Sequence, residues 1–392
     1  MNLLDTASLV VTPNGYKASK LYSIVPSDGT GDMTFARTGD TATRVNPSGL
    51  IAPINANIPR LDYLGSTCPK LLLEPQRTNL ILRSEEFDNA SWTKDSGGVG
   101  SIPVVTANNA ISPDGTQDAD LIVFNLNGGT ASGDFSYVAQ IATVTISTVY
   151  TFSIYAKTSD NSTKTISLVD GNGTNTLLTI TGSWQRFSRT YTTALTTANM
   201  RLRLRGSASG EGTSTSASIN LWGAQLEAGA YATSYIPTTT ASVTRNVDSI
   251  TRTSSSALIG QTEGVVFFDL NLDSRLSFSY LLVRNTAVTN YIGFTIDNTK
   301  IRAEISNAGF NQARIDYASS STGRFKIAVA YKANDIAFYL NGSLIGTDTV
   351  ATIPTCDILD FYFNAVNGIR INSAALWKTR LTNQELATLT TI

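Results

Sequence analysis

In Tyr150-Thr151-Phe152-Ser153-Ile154-Tyr155-Ala156-Lys157, bulky and small side chains alternate. In Met200-Arg201-Leu202-Arg203-Leu204-Arg205, apolar residues alternate with arginine even more strictly. A period of two sends one set of side chains to a buried face and the other to a wetter one, the pattern of a strand in a half-covered sheet. Around these two stretches, β-rich runs recur at 99–105, 137–147, 165–169, 176–181, 185–192 and 218–222. Turn signals such as Asp170-Gly171-Asn172-Gly173 and Thr181-Gly182 separate them. Several short strands at this spacing predict a β-sandwich over residues 83–240.

Working outward, the polar stretches 236–240 and 251–256 read as linker, which places a boundary near residue 241. Beyond it, runs at 265–270, 280–283, 291–296, 300–305, 325–331, 336–340 and 360–363 predict a second sandwich over 241–392. Asn341-Gly342 supplies a two-residue hairpin turn, because both residues tolerate positive φ. One short helix closes the chain. Thr382 and Glu385 form a capping box, and Leu381 can staple onto Leu386. The fold class is therefore all-β: two tandem β-sandwiches, with one short C-terminal helix that must dock on a sheet to persist.

Residues 1–82 read as an irregular arm, broken every few positions by Gly, Pro, Asp and Asn. A hairpin is expected from Ala42-Thr43-Arg44-Val45 through Asn46-Pro47-Ser48-Gly49 to Leu50-Ile51. Leu71-Leu72-Leu73, between Pro69 and Pro75, suits an edge strand or extended arm. The arm has too few apolar residues to offset about 1–2 kcal/mol of backbone entropy per ordered residue. It is expected to order against other chains, as an attachment and oligomerisation segment, with a trimer favoured.

Composition narrows the function. The 392 residues suit two or three domains at roughly 150 each. Charged residues make up only 15% and threonine contributes 53 positions, so hydroxyls must cover much of the surface. There is no histidine, which excludes Ser-His-Asp and Cys-His nucleophile systems and any His-ligated metal. Cys68 and Cys356 stand far apart, with no metal or redox spacing. A net charge of −1 leaves no basic footprint for nucleic acid. Neither a signal peptide nor a membrane-spanning run is expected.

No catalytic or metal-ligating residue emerges, and no cofactor is expected. The 8 Glu and 22 Asp include one short cluster, Glu86-Phe87-Asp88-Asn89-Ala90-Ser91, which lacks the last carboxylate of a sandwich glucanase pattern. Glu85 and Glu86 read as a solvated pair. Gly97-Gly98-Val99-Gly100 lacks the Lys-Ser/Thr ending of a phosphate loop. Asp170-Gly171-Asn172-Gly173 is a turn rather than a calcium loop. Trp92, Trp184, Trp222 and Trp377 sit at strand ends and read as core. Ligand-binding residues stay unassigned at this level.

Three runs carry a resemblance. Leu71–Leu80 with Ser84–Lys94, and Leu221–Gly229 with Tyr231–Thr238, resemble stretches found in tailed-bacteriophage virion proteins. Ala42-Thr43-Arg44-Val45-Asn46 with Gly49-Leu50-Ile51 resembles the segment that often precedes them. The middle part resembles carbohydrate-binding-module-like jelly rolls, through 150–157 and Gly182-Ser183-Trp184-Gln185-Arg186-Phe187. The C-terminal part resembles concanavalin-A-like, laminin-G-type sandwiches, through 327–331, 338–346 and 375–381. The resemblance implies a non-enzymatic virion appendage of tail or head, such as a fibre or spike, assembled in the host cytoplasm. Its 1–82 arm would contact other virion proteins, and host surface polysaccharide would be its ligand. The rival readings are a purely architectural decoration protein and a capsule depolymerase.

Overall fold

The computed structural model describes residues 3–207, 210–364 and 366–392. Strand Val149–Thr158 shows how the alternation works: Tyr150, Phe152, Ile154 and Ala156 enter a core that also holds Phe87, Trp92, Phe124 and Leu202. Two five-stranded antiparallel sheets enclose that core. One is ordered Ser101–Ala110, Ala119–Asn125, Ser216–Ala228, Val149–Thr158, Gln185–Thr192; the other Asn175–Ile180, Lys164–Val169, Thr197–Arg205, Phe135–Thr143, Thr93–Gly97. The leucines of 200–205 point inward and the arginines stay half-exposed, as the period of two requires.

The second sandwich is larger than its sequence segment. Its sheet holds sixteen strands in one hydrogen-bonded set. Phe268 meets Phe294 at 6.2 Å and Phe294 meets Phe338 at 5.7 Å. Strands distant in the sheet order thus face one another, and the sheet curls over itself into two layers. The Asn341-Gly342 turn joins Ile336–Leu340 to Ser343–Asp348, with φ of 50° and 83° at its two residues.

Residues 1–82 depart from the irregular-arm reading. Leu9–Lys17 pairs with Ile369–Trp377, Met33–Ala36 pairs with Ser249–Arg252, and Lys70–Leu73 also pairs with Ile369–Trp377. Leu9, Leu21, Met33, Phe35, Leu71 and Leu73 are buried in one core with Phe268 and Phe361. The run Leu71-Leu72-Leu73 is an interior strand, not an edge. The apolar burial that pointed to intertwined neighbouring chains is satisfied within the chain. The partners named here lie more than 200 residues away, so no local pattern announces these pairings; the one local hairpin, Leu9–Lys17 with Lys20–Val25, is irregular in register between Val11 and Tyr16. Residues 83–240 are consequently inserted into the larger sandwich. The chain enters and leaves the insert through a two-stranded ribbon, Arg77–Asn79 against Val243–Arg245.

The helix Asn383–Thr390 packs on the outer face of this sheet. Thr382 accepts from the Glu385 backbone N–H at 3.3 Å, and the Thr382 N–H donates to the Glu385 carboxylate at 2.8 Å. Leu381 and Leu386 are buried with Val10, Phe267, Tyr339 and Trp377, and Leu389 packs beside them. Thr382→Ala is expected to cost ~1 kcal/mol through the lost cap. Leu386→Ala should cost more, about 2–5 kcal/mol. Thermal melts of the full chain give the order; a neutral Leu386→Ala would refute the docking.

Candidate functional site

Where the ribbon joins the sandwiches, the strand Lys70–Leu73 delivers Glu74 into a dry knot of charge. Glu74 accepts from Arg60 at 2.7 Å, Arg245 at 3.0 Å, and the Ser234 N–H and hydroxyl at 2.8 and 2.7 Å. Asp248 accepts from Arg37 at 3.3 Å, from Arg60, and from the Glu74 N–H at 2.8 Å. All five side chains are buried. Burial alone would raise Glu74, yet Arg245, Arg60 and Ser234 hold its carboxyl well below the usual range. Burial likewise opposes the Arg60 charge, and Asp248 and Glu74 more than restore it. Each ion is costly to desolvate, so the knot persists only because every charge is engaged. It ties Ser234 of the insert to the outer sandwich.

Beside the knot lies a cleft of about 730 Å3 between the two sandwiches. One wall is the hairpin Ala42–Val45 and Ile51–Ile54 with the turn after Leu61–Asp62, which brings Arg44, Tyr63 and Leu64. The opposite wall is the outer side of the insert. There Tyr155 is the cross-strand partner of Arg186, and Trp184 and Ser188 stand on the same side of the chain as Arg186. Tyr231 to Tyr235 and the pair Arg370 and Asp273 close the floor. A concave site of this size at a domain interface, with aromatic walls and a few converging polar groups, is the usual form of a ligand pocket.

The side chains are held in place. Arg186 lies 5.3 Å over the Tyr155 ring and donates to the Thr233 carbonyl at 2.6 Å and the Ser153 hydroxyl at 2.9 Å. The Trp184 indole N–H donates to the Ile111 carbonyl at 2.9 Å, and the Lys157 ammonium sits 5.0 Å from its ring centre. Arg44 donates to the Leu61 carbonyl at 2.7 Å. Arg370 bridges two acids, Asp62 at 2.9 Å and Asp273 in closer contact. Burial pushes Asp273 up to about 6 although Arg370 lies against it.

Trp92, Trp222 and Trp377 are core residues, whereas Trp184 is half-buried and lines the cleft. Glu85 and Glu86 are not an equivalent solvated pair. Glu86 binds Arg83 at 2.9 Å, while Glu85 accepts from the Tyr235 hydroxyl at 2.8 Å behind the cleft. Burial raises Glu85 to about 7, against that hydrogen bond, and Asp118, Asp114 and Glu86 add to the rise. A carboxyl with a raised folded-state pKa stays protonated in the fold while the unfolded chain ionises. Stability from this group is therefore full below its ordinary value of 4.5 and is lost as pH rises to about 7. Glu85→Gln should flatten that slope in urea melts across pH 4–8; an unchanged slope would disprove it.

A more open groove of about 780 Å3 carries Phe278, Tyr280 and Phe363, the last two paired across strands. Its Asp360 is closed on Arg284 at 2.9 Å. Among the described residues no group of three or more Cys, Asp or Glu could hold a metal, and no helix is long and apolar enough to cross a membrane.

No family model matches the sequence, and no curated protein matches it. Among solved structures, partial likenesses include the following three. Ruminococcus gnavus IT-sialidase CBM40 is 15% identical, over 33% of this chain and 84% of that one, with a TM-score of 0.29. The binding domain of Botulinum neurotoxin DC, in complex with rat synaptotagmin II, is 14% identical over 37% and 40%, with a TM-score of 0.33. A Trypanosoma rangeli sialidase mutant displaying trans-sialidase activity is 13% identical over 36% and 25%, with a TM-score of 0.28. Each covers about a third of this chain, and none transfers a ligand, an activity or a residue.

Proposed function

We propose that this chain is a non-catalytic glycan-binding appendage protein of a tailed-phage virion, with its ligand seated between the two sandwiches. The observation that carries the binding reading is the cleft: Trp184, Tyr155 and Tyr63 offer ring faces beside Arg44, Arg186, Ser188 and Ser112. Pyranose rings present apolar C–H faces and a hydroxyl rim, which such walls complement. The virion reading rests on the sequence resemblance. Its two main runs, far apart in the chain, lie together in space: Leu80 donates to the Leu226 carbonyl at 2.8 Å, and Glu74 holds Ser234. Contact with other virion proteins, and a trimer, would use the outward side of residues 1–82, where Tyr16, Tyr22, Ile24 and Leu64 are exposed; native mass measurement decides, and a monomer at assembly concentrations rejects the trimer.

The binding test is retention of the full chain on immobilised host-surface polysaccharides. Trp184→Ala should lower affinity by about fivefold, given the ~1 kcal/mol scale of an aromatic contact. Tyr280→Ala, in the open groove, should leave it unchanged. No new reducing ends should appear on prolonged incubation. Turnover abolished by a single Asp or Glu substitution would make the protein an enzyme and defeat the reading, as would failure to retain any glycan.

A further inference from the structure

We propose that the inter-sandwich cleft selects a carboxylate-bearing glycan over a neutral one, through the guanidinium groups of Arg44 and Arg186. This deepens the glycan-binding reading and rests on it.

The argument is a charge account of the cleft. Every carboxylate in its lining is already engaged by an arginine. Glu74 is held by Arg60 and Arg245. Asp62 and Asp273 both grip Arg370. With both acids ionised, the Arg370 group carries one net negative charge. The knot behind it, three arginines against Glu74 and Asp248, carries one net positive charge, so the two groups cancel.

Arg44 and Arg186 remain. Among the described residues neither has a carboxylate within 4.0 Å, the ion-pair distance met by seventeen other pairs. Asp114, close to the rim, is turned into its own loop by the Ser112 hydroxyl and the Thr116 N–H and hydroxyl. A guanidinium has five N–H donors in a rigid fork. Arg44 donates one hydrogen bond and Arg186 two, all to neutral oxygens. Both cations are half-buried on facing walls of one cleft. Arginine forks match carboxylate geometry, and partial desolvation strengthens the contact. The aromatic walls beside them supply the surface for a sugar ring, so the charge belongs on the glycan rather than on a free anion.

The test compares each polysaccharide of a panel in two forms, free carboxylate and methyl ester, with the full-length chain. Esterification removes the charge and keeps the backbone. The expected result is retention of the acidic forms, with affinity falling on the order of 10- to 100-fold on esterification and declining as NaCl is raised. Arg44→Gln and Arg186→Gln should each shrink the acid-to-ester ratio, while Arg186→Lys, which keeps the charge and loses the fork, should keep only part of it; melting curves confirm that each variant is folded. Equal retention of acid and ester, or a ratio unmoved in both folded Gln variants, overturns the proposal and leaves glycan binding intact. Retention of neither form removes the glycan reading itself, and this inference with it.

Discussion

Residues 241–392, expressed alone, should not fold, whereas residues 1–75 joined by a short flexible linker to 246–392 should melt cooperatively. The isolated segment lacks Leu9–Lys17 and Lys70–Leu73 along Ile369–Trp377, and Met33–Ala36 beside Ser249–Arg252. It also loses Leu9, Met33, Phe35, Leu71 and Leu73 from the core. Each such loss costs about 2–5 kcal/mol, and a whole domain is stable by only about 5–15 kcal/mol. Bare strand edges would then drive aggregation. The insert, residues 76–245, has its own two sheets and core and should fold when excised. Circular dichroism and solubility of the three shortened chains suffice; a cooperative melt of 241–392 by itself would show that the N-terminal strands are dispensable.

The second large effect lies in the charge knot. Glu74→Ala should destabilise the protein by about 3–5 kcal/mol, because Arg60 and Arg245 lose their shared carboxylate inside a dry junction. It also removes the acceptor of the Ser234 N–H and hydroxyl, so the sandwiches should melt as two separate transitions in calorimetry. Glu74 titrates well below its ordinary 4.5 in the fold. Its contribution is thus present above that value and is lost only as pH falls through the depressed folded-state value. The variant should therefore lie closer to wild type at strongly acid pH than at neutrality. A change below ~1 kcal/mol at neutral pH would mean that water or relaxation replaces the ion pairs.

The all-β class, the hairpins and most of the insert's strands were legible because their signal is local; Thr93–Gly97 and Ala119–Asn125 escaped the reading. Residues 150–157 and 200–205 alternate over the span of one strand, and Asn341-Gly342 sets one turn. The strand Ile369–Trp377 was hidden for a physical reason. A bulge at its pairing with Asp269 and Leu270 breaks the period, and beyond it Ala374, Ala375, Leu376 and Trp377 are all buried because core and helix cover both faces. Before residue 82, Leu9–Lys17, Met33–Ala36 and Lys70–Leu73 were hidden by the sequence distance to Ile369–Trp377 and Ser249–Arg252, and the local hairpin of Leu9–Lys17 with Lys20–Val25 by its irregular register. Of the cleft, Tyr155 could have been placed on the outer face by parity with buried Ile154 and Ala156. Arg186 follows from the same alternation. Nothing local marks Arg44 or Tyr63, whose meaning depends on a wall contributed from another part of the chain.

The wiring of the strands also has a mechanical consequence. Leu9 sits opposite Leu376, and the Trp377 indole N–H donates to the Leu3 carbonyl at 3.0 Å, so the first strand begins and the last strand ends at one corner of the outer sandwich. Hydrogen bonds of an antiparallel pair run across the strands. Tension applied through Leu3 and Ile392 would open them one after another, like a zipper. The insert is attached by Arg77 beside Arg245, so it hangs outside that line of force. A load spread over a broad sheet face would instead be borne by many hydrogen bonds at once.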